Sequence, residues 1–243
     1  MTNTSAIFVQ GAFLKPHNIQ LVEAVENRAN LYLLGKRIID IVFSLIICVF
    51  ILSWLLPLLA LLIKLDSKGP VFFKQKRTGF QGKTFNCFKL RTMKLNAQSD
   101  DLQAAINDPR ITRIGTFLRM SNLDELPQFI NVLLGDMSIV GPRPHMLKDS
   151  NQFAEIFPSY YNRYLVKPGI SGLAQINGFR GPTPNTRSIY KRLQWDLYYV
   201  EHAKLGMDIR IILLTALELS VSIINRSGAC APNRSGFKIS TRG

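Results

Sequence analysis

The chain has 243 residues, which suits one sizeable domain and leaves little room for a second. Its 30 lysines and arginines outnumber 16 aspartates and glutamates, and the formal net charge of +14 points to an anionic partner such as a nucleic acid, a phosphorylated ligand or an acidic lipid surface. Three scattered cysteines without metal-ligand spacing argue against a disulfide framework and favour a reducing environment.

The two ends of the chain differ in composition from its middle. Residues 1–34 are polar and mixed. We expect a loosely ordered arm there without a secretory signal, because no basic segment is followed by an apolar core and a cleavage site. Residues 225–243 are rich in Ser, Gly, Asn and Arg and predict a basic tail. One domain, residues 35–224, is expected between them.

A long apolar segment opens this domain. Residues 41–63 are uncharged and long enough to span a bilayer, with the core helix of a soluble protein as the alternative. Basic residues stand on both flanks, whereas positive charge normally stays on the cytoplasmic side; they are Lys36, Arg37, Lys64, Lys68, Lys74, Lys76 and Arg77. A re-entrant helix over residues 38–63, with both ends cytoplasmic, satisfies both flanks. Pro57 is the expected break, and Ser53 is spaced to bond the carbonyls that it frees.

Two stretches that follow alternate apolar and basic residues around a turn. Residues 71–77 and 84–91 flank Gly79 and Gly82, which predicts a β-hairpin. An RNA-binding ribbon is one interpretation, but no RNA-recognition motif accompanies it. A membrane-proximal hairpin with cations facing lipid or substrate phosphates is the commoner one.

Two further helices are predicted near the end of the domain. Residues 187–202 form an amphipathic pattern, and residues 211–224 are apolar but too short to cross a bilayer. We expect the second helix to lie in the core or in the membrane interface. Aromatic residues of the first are candidate interface anchors: Trp195, Tyr198 and Tyr199.

Residues 119–144 hold the densest pattern of the chain. Ser121 or Asn122 can cap a helix, and the acidic pair Asp124 and Glu125 would fall in its first turn, where the helix dipole favours negative charge. An apolar face continues to Gly135, which is expected to end the helix. Good capping alone would explain the acidic pair.

A rigid turn closes the same stretch. Two prolines fix the backbone around Arg143 in the sequence G-P-R-P, residues 141–144. Two adjacent carboxylates and a stiffly held guanidinium in a basic chain suggest a metal-assisted site for a phosphorylated substrate. A Pro-Arg-Pro sequence is more often only a turn, so local physics leaves both interpretations open.

A resemblance bears on that choice. Residues 123–144 read L-D-E-L-P-Q-F-I-N-V-L-L-G-D-M-S-I-V-G-P-R-P and resemble the signature of the bacterial sugar transferases, which are monotopic polyprenyl-phosphate phosphoglycosyl transferases. The similarity extends over residues 34–224. It includes K-L-R-T-M at residues 89–93 and V-K-P-G-I-S-G-L-A-Q-I-N-G at residues 166–178.

The resemblance implies a fold. It is an α+β, mainly helical, single monotopic membrane domain with a Pro-kinked re-entrant N-terminal helix, a small β-hairpin and interfacial amphipathic helices. Two positions depart from the family pattern. Leu56 stands before Pro57 where the family typically has serine, and Leu173 stands where tryptophan is usual.

The resemblance also implies roles for particular residues. Asp124 and Glu125 would be catalytic and would together hold Mg²⁺. The substrate-binding residues would be Lys89, Arg91, Arg119, Arg143 and Arg180, with Arg180 contacting the nucleotide part of the donor. His145 is the one histidine of the sequence near this proposed site.

The implied activity is transfer of a hexose-1-phosphate from a UDP-sugar, UDP-glucose or UDP-galactose, to undecaprenyl phosphate, with release of UMP. The protein would act without nucleic acid at the cytoplasmic face of the bacterial inner membrane, bound to membrane lipids, in the initiating step of exopolysaccharide, capsule or O-antigen synthesis. Whether it forms a homo-oligomer stays open. Two other classes are alternatives: a membrane-anchored structural subunit of a polysaccharide assembly complex, and a membrane-anchored nucleic-acid-binding protein.

Overall fold

The structure, a computed structural model, describes residues 30–94, 108–181 and 185–227, together with residues 7–9, 12–14, 21, 25, 27 and 28. Most of the expected N-terminal arm therefore lies outside the described residues, as does the expected tail beyond residue 227.

Helices account for most of the described chain, as the α+β, mainly helical prediction required. They are α1 (Asn30–Ile47), α2 (Ser53–Asp66), α3 (Arg113–Ser121), α4 (Gln128–Leu134), α5 (Leu147–Ile156), α6 (Leu173–Ile176), α7 (Thr186–His202) and α8 (Leu205–Ser227). The strands are β1 (Ile7–Val9), β2 (Ala12–Leu14), β3 (Phe72–Thr78), β4 (Thr84–Leu90), β5 (Ser138–Val140) and β6 (Gly169–Ser171). The predicted hairpin is confirmed as the antiparallel pair β3–β4, β1 pairs antiparallel with β2, and β5 pairs with β6 in parallel.

The apolar segment is longer than predicted. Helices α1 and α2 and the turn between them make one continuous helix, Asn30–Asp66, of 37 residues. Among the described residues it is the one helix long and apolar enough to cross a membrane by length and composition. Only 17% of its most apolar 18-residue window is buried, so this stretch is not the core of a soluble fold.

The irregularity in this helix lies before the proline rather than at it. Residues Cys48–Leu52 form a wide π-helical turn, and helix α2 then continues through Pro57. The Ser53 hydroxyl donates to the carbonyl of Val49 at 2.5 Å, so it serves the wide turn and not the carbonyl freed by Pro57. An extra residue one turn before a proline accommodates the backbone that the proline ring displaces.

The N-terminal half of the long helix is bonded to the globular body. The Asp40 carboxylate is buried and accepts hydrogen bonds from the Ser138 hydroxyl at 3.0 Å and the Ile139 amide at 2.9 Å. Lys36 forms an ion pair with Asp208 at 3.1 Å. Buried polar groups with satisfied partners fix the position of a helix more sharply than apolar contact alone.

The C-terminal half packs on the same body. Leu59 and Ile63 of α2 form a buried cluster with Leu90 of β4 and Leu118 of α3. The stretch between the two docked halves exposes large apolar side chains, with Phe50 70% and Trp54 60% exposed. Both ends of the apolar helix therefore contact one body, and most of the large apolar side chains of its middle are exposed, although Leu52 is buried.

One buried amide holds the hairpin against the helix beside it. The Asn131 side chain, on α4, accepts from the Phe88 amide at 2.9 Å and donates to the Asn86 carbonyl at 2.7 Å. Because Asn131 is fully buried, these two bonds fix the register of β4 relative to α4. The side chain of Lys89 on β4 is thereby brought towards the residues that precede α4.

The two late helices agree with their predictions in position but differ in detail. Helix α7 covers the predicted amphipathic segment and begins at Asn185, whose side chain accepts from the Ser188 amide. Helix α8 is longer than the predicted 211–224. Tyr199, predicted as an interface anchor, is instead buried and donates its hydroxyl to Asp208 at 2.7 Å.

Candidate active site

The acidic pair lies in a tight turn between two helices. Helix α3 ends at Ser121, Asn122 adopts a left-handed conformation with φ of 58°, and Asp124 and Glu125 fall in a single 3₁₀ turn, Leu123–Glu125. The predicted cap at Ser121 or Asn122 with the pair in the first α-helical turn is therefore wrong. Pro127 has no amide hydrogen to bond back to that turn, so α-helical bonding begins only after it.

Glu125 is held by two cations. Arg143 donates to both of its carboxylate oxygens, and Lys89 Nζ lies 2.8 Å from Oε1. Burial by itself would raise the pKa of Glu125, but Arg143 and then Lys89 outweigh it and hold the pKa well below its ordinary value. Glu125 is thus a permanent carboxylate that fixes two cations at the site.

Asp124 has a different environment although it is adjacent in sequence. Its side chain is buried, and it forms no ion pair among the described residues. Burial raises the pKa of Asp124 to about 6, and the charge of Glu125 adds to this effect, while Lys89, Arg119 and Arg143 oppose it. An incompletely neutralised buried carboxylate is a reactive group, because no partner has to be removed before it can attack.

All seven residues predicted for the site line one cavity of about 460 Å³. They are Lys89, Arg91, Arg119, Asp124, Glu125, Arg143 and Arg180. Arg119 reaches it from α3 and bonds the Thr92 hydroxyl through Nε at 2.8 Å, and Arg180 is half-buried at its wall. The structure brings the set together; the role of each residue in binding stays a prediction.

Arg91 differs from the other cations in what it contacts. Its guanidinium donates to the backbone carbonyls of Ser67 at 2.7 Å, of Lys68, and of Ile63 at 3.4 Å, at the C-terminal end of α2. A cation at this position satisfies carbonyls that lack helical partners. Arg91 therefore links the apolar helix to the cavity wall, a structural role that its predicted phosphate contact did not include.

The donors at the site limit how the predicted Mg²⁺ could bind. Within the described residues, no three His, Cys, Asp or Glu side chains are grouped to hold an ion. Both oxygens of Glu125 are taken by cations, so Asp124 is the carboxylate of the pair that can accept a metal ion. Magnesium commonly binds through one or two carboxylates together with substrate phosphates. The donors therefore fit an ion shared with a phosphorylated substrate and do not fit an all-protein site.

Sequence reasoning missed three basic residues that line this cavity: Arg77, Lys94 and Arg192. Arg192 of α7 lines it together with His145 and is only 7% exposed. Burial, and then the charges of Arg163 and Arg192, lower the pKa of His145 well below its ordinary value, so the ring is neutral. The signal was present in the sequence, since Arg192 and Asp196 lie on the otherwise apolar face of a predicted amphipathic helix.

This arrangement has a definite chemical capacity. A buried, unpaired carboxylate lies among several guanidinium and ammonium groups in one cavity. Such a set can bind an anionic diphosphate, neutralise charge on phosphoryl oxygens, and present an oxygen nucleophile to phosphorus.

The sequence was compared with known proteins. The bacterial sugar transferase family matches over residues 31–222. The chain is 45% identical over 203 residues to the UDP-glucose:undecaprenyl-phosphate glucose-1-phosphate transferase of Xanthomonas campestris pv. campestris, covering 83% of this chain and 42% of that protein. It is 47% identical over 185 residues to the protein of the same name from Escherichia coli, covering 75% of this chain and 39% of that protein.

A third relative aligns over almost all of its own length. The exopolysaccharide production protein PSS of Rhizobium leguminosarum bv. phaseoli is 46% identical over 187 residues, which is 75% of this chain and 93% of that protein. The chain thus spans less than half the length of the first two relatives and aligns with almost all of the third. With a family match over most of its residues, the chain belongs to the bacterial sugar transferase family.

Proposed function

We propose that the protein transfers a hexose-1-phosphate from a UDP-sugar to undecaprenyl phosphate and releases UMP. The observation that carries this proposal is the buried carboxylate of Asp124, which lies without an ion-pair partner among the cations of one cavity. The names of the relatives support UDP-glucose as the first donor to test and exopolysaccharide production as the setting. The R-L-Q-W-D-L-Y-Y-V run in α7, which resembles the hexose-transferring branch, supports the same choice.

The first step is attack of an Asp124 oxygen on the β-phosphorus of the donor. The bond from that phosphorus to the bridging oxygen breaks, its electron pair stays with the bridging oxygen, and UMP leaves. A hexose-phosphoryl aspartate remains. Arg143 and Lys89, fixed by Glu125, and Arg119 on the opposite helix bind the phosphoryl oxygens on which charge accumulates.

The second step uses the same carboxylate as a leaving group. An oxygen of the lipid phosphate attacks the phosphoryl aspartate, the acyl–phosphate bond breaks, and Asp124 is regenerated as the polyprenyl diphosphate sugar forms. Asp124, together with substrate phosphates, would hold Mg²⁺, which would supply positive charge against the repulsion between the anionic groups. Its contact with Glu125, expected from the sequence, requires one of the two cations on that carboxylate to move.

The proposed place of the reaction is the cytoplasmic surface of the inner membrane. The long helix has both halves bonded to one body and an exposed apolar middle, which supports insertion of the middle into one leaflet and return to the same face. Basic residues on both flanks support the cytoplasmic side. The cavity would then lie at the interface, where a lipid phosphate and a soluble nucleotide sugar can both reach it.

The decisive experiment measures UMP release by the protein in nanodiscs. It supplies undecaprenyl phosphate, a panel of UDP-sugars, and either Mg²⁺ or EDTA. We expect Mg²⁺-dependent release with UDP-glucose or UDP-galactose, and a sugar-bearing lipid product. Absence of release with every donor would refute the enzymatic proposal and favour the structural-subunit or nucleic-acid-binding alternative, which filter binding of RNA and DNA would then separate.

The acidity of Asp124 predicts the pH dependence of the first step. Because the attacking group is the carboxylate and burial raises its pKa to about 6, the rate should fall as the pH drops through about 6. A single-turnover UMP burst without lipid acceptor isolates this group, since a lipid phosphate titrates in the same range. A burst rate that is constant from about pH 5 to pH 8, or that increases on acidification, would contradict the assigned role.

A further inference from the structure

Arg192 is a buried guanidinium whose nearest carboxylate, Asp196, is bound by another arginine. Its NH2 group donates to the Gly181 carbonyl and its NH1 group lies 3.3 Å from His145 Nε2, while Nε has no partner. It forms no ion pair within the described part of the chain. Its neighbour Arg163 provides the contrast, because it is paired with the buried carboxylate of Asp196 at 2.7 Å.

His145 is arranged to orient this guanidinium. Tyr160 and Arg163 both contact its Nδ1, so its free ring nitrogen faces Arg192. The ring is buried and neutral. In the tautomer that carries its proton on Nδ1, the ring donates to the Tyr160 oxygen, which also accepts from Arg163, and Nε2 can accept a hydrogen bond from Arg192. The two contacts to Arg192 hold its side chain in one direction at the wall of the cavity.

The cavity wall that Arg192 forms is continuous with the carboxylate pair. Arg143 contacts Glu125, and His145, which directly follows the same rigid turn, contacts Arg192. The nearest carboxylate that acts on Arg192 is Asp196, but this carboxylate is ion-paired with Arg163. A buried charge that the protein balances only in part is costly, and a ligand of opposite charge would complete the compensation. The ligand expected at Arg192 is therefore an anion that shares the cavity with the group attacked by Asp124.

We propose that Arg192 binds the phosphate of the nucleoside monophosphate leaving group and that His145 is its positioning residue. This inference rests on the proposed function. When the bond from the β-phosphorus to the bridging oxygen breaks, that oxygen becomes a terminal oxygen of UMP and the nucleotide phosphate gains one negative charge. A preorganised guanidinium stabilises this charge through N–H donors.

The lipid phosphate is the other phosphate monoester in the reaction, and the contacts of Arg192 favour the nucleotide. Its hydrogen bonds go to Gly181 and His145. Neither residue belongs to the apolar helix or to residues 67–73 that follow it. Gly181 is adjacent to Arg180, which the resemblance to the family implies as a contact of the nucleotide part of the donor. The nucleotide phosphate is therefore assigned to Arg192.

Binding of UMP to the turnover-incompetent Asp124→Asn protein in nanodiscs tests this inference by calorimetry. Adding Arg192→Gln should weaken UMP binding about 10- to 100-fold, as expected for loss of charge-assisted hydrogen bonds. Binding of uridine, which has no phosphate, should not change. Arg192→Lys keeps the charge without the planar pair of donors and should give an intermediate loss. Arg187→Gln is the matched control, because Arg187 is exposed on the same helix.

Turnover assays with Asp124 intact separate the two proposals. If the wild-type protein is active but the Arg192→Gln variant binds UMP with unchanged affinity, the role of Arg192 is overturned and the proposed function stands. The same conclusion follows from a variant in which only the KM for undecaprenyl phosphate increases. Wild-type protein that neither releases nor binds UMP would overturn both. If Arg192→Gln lowers the melting temperature substantially, Arg192→Lys and His145→Gln supply the comparison, and equal loss of UMP and uridine binding would indicate a merely structural role.

Discussion

Replacing Asp124 with asparagine is expected to abolish UMP release and, at the same time, to stabilise the protein. The loss of turnover should be at least about a thousandfold, because an amide is not a competent nucleophile at phosphorus. The gain in stability follows from burial. The difference between a pKa of about 6 and the ordinary 3.8 corresponds to about 3 kcal/mol. Since a new amide has hydrogen bonds of its own to satisfy, we expect an increase on the order of 1–2 kcal/mol.

The sign of this effect depends on pH in a specific way. The folded protein binds a proton at Asp124 more tightly than the unfolded chain does, so this group favours folding below about pH 4 and the advantage is lost as the pH rises through about 6. The melting temperature of the asparagine variant should exceed that of the wild type by a few degrees at pH 7 and match it near pH 4.

Thermal unfolding of both proteins in the same nanodiscs at these two pH values checks the prediction. Glu201→Gln is a suitable control, because Glu201 is half exposed and should show no difference of this kind. An asparagine variant that is less stable than the wild type at pH 7 would mean that Asp124 is neutralised by its cations in the folded state. Retained UMP release would remove Asp124 as the nucleophile.

Replacing Arg143 with methionine is expected to destabilise the protein by about 3 kcal/mol. The substitution leaves Glu125 buried with Lys89 as its remaining partner, and breaking one side of a buried ion pair is costly because a charge is stranded. Adding Glu125→Leu should recover most of that loss, since it removes the carboxylate and leaves the remaining cation, Lys89, beside the charge of Asp124. Catalysis should not recover, because the guanidinium is lost in both variants.

The two variants distinguish the contribution of this ion pair to stability from its contribution to catalysis. Melting temperatures should fall by about 6–12 °C in Arg143→Met and by much less in the double variant, while UMP release stays low in both. Equal destabilisation of the single and double variants would show that Arg143 stabilises the turn by itself. Recovery of activity in the double variant would exclude Arg143 from the phosphoryl site.

Structural features that depend on a single hydrophobic period or a single short motif were predictable from the sequence. The apolar run, the hairpin and the stop at Gly135 each depend on neighbouring residues, and the structure confirms them. The grouping of seven residues at one site was predicted from the resemblance, since charge and spacing alone were also compatible with a plain helix cap at Asp124. Their convergence depends on tertiary packing, such as the burial of Asn131 between β4 and α4.

The incorrect predictions share a physical origin. The left-handed conformation of Asn122 and the wide turn at Cys48–Leu52 are backbone conformations set by the packing on either side of them. No local sequence pattern predicts them. Arg91 and Arg192 are both basic residues in the printed sequence, yet one caps a helix and the other faces the cavity. Which partner a long cationic side chain finds is decided by the fold.

The bonds that fasten both halves of the long helix to the body have a mechanical consequence. Asp40 and Arg91 bind backbone groups on the far side of each junction, so anchor and catalytic body move as one rigid piece. On the proposed insertion, the height of Asp124 above the hydrocarbon is then set by how deeply the apex sits in a single leaflet. Total bilayer thickness should leave that height unchanged, whereas lipids with bulkier headgroups should crowd the entrance and slow the approach of the lipid phosphate.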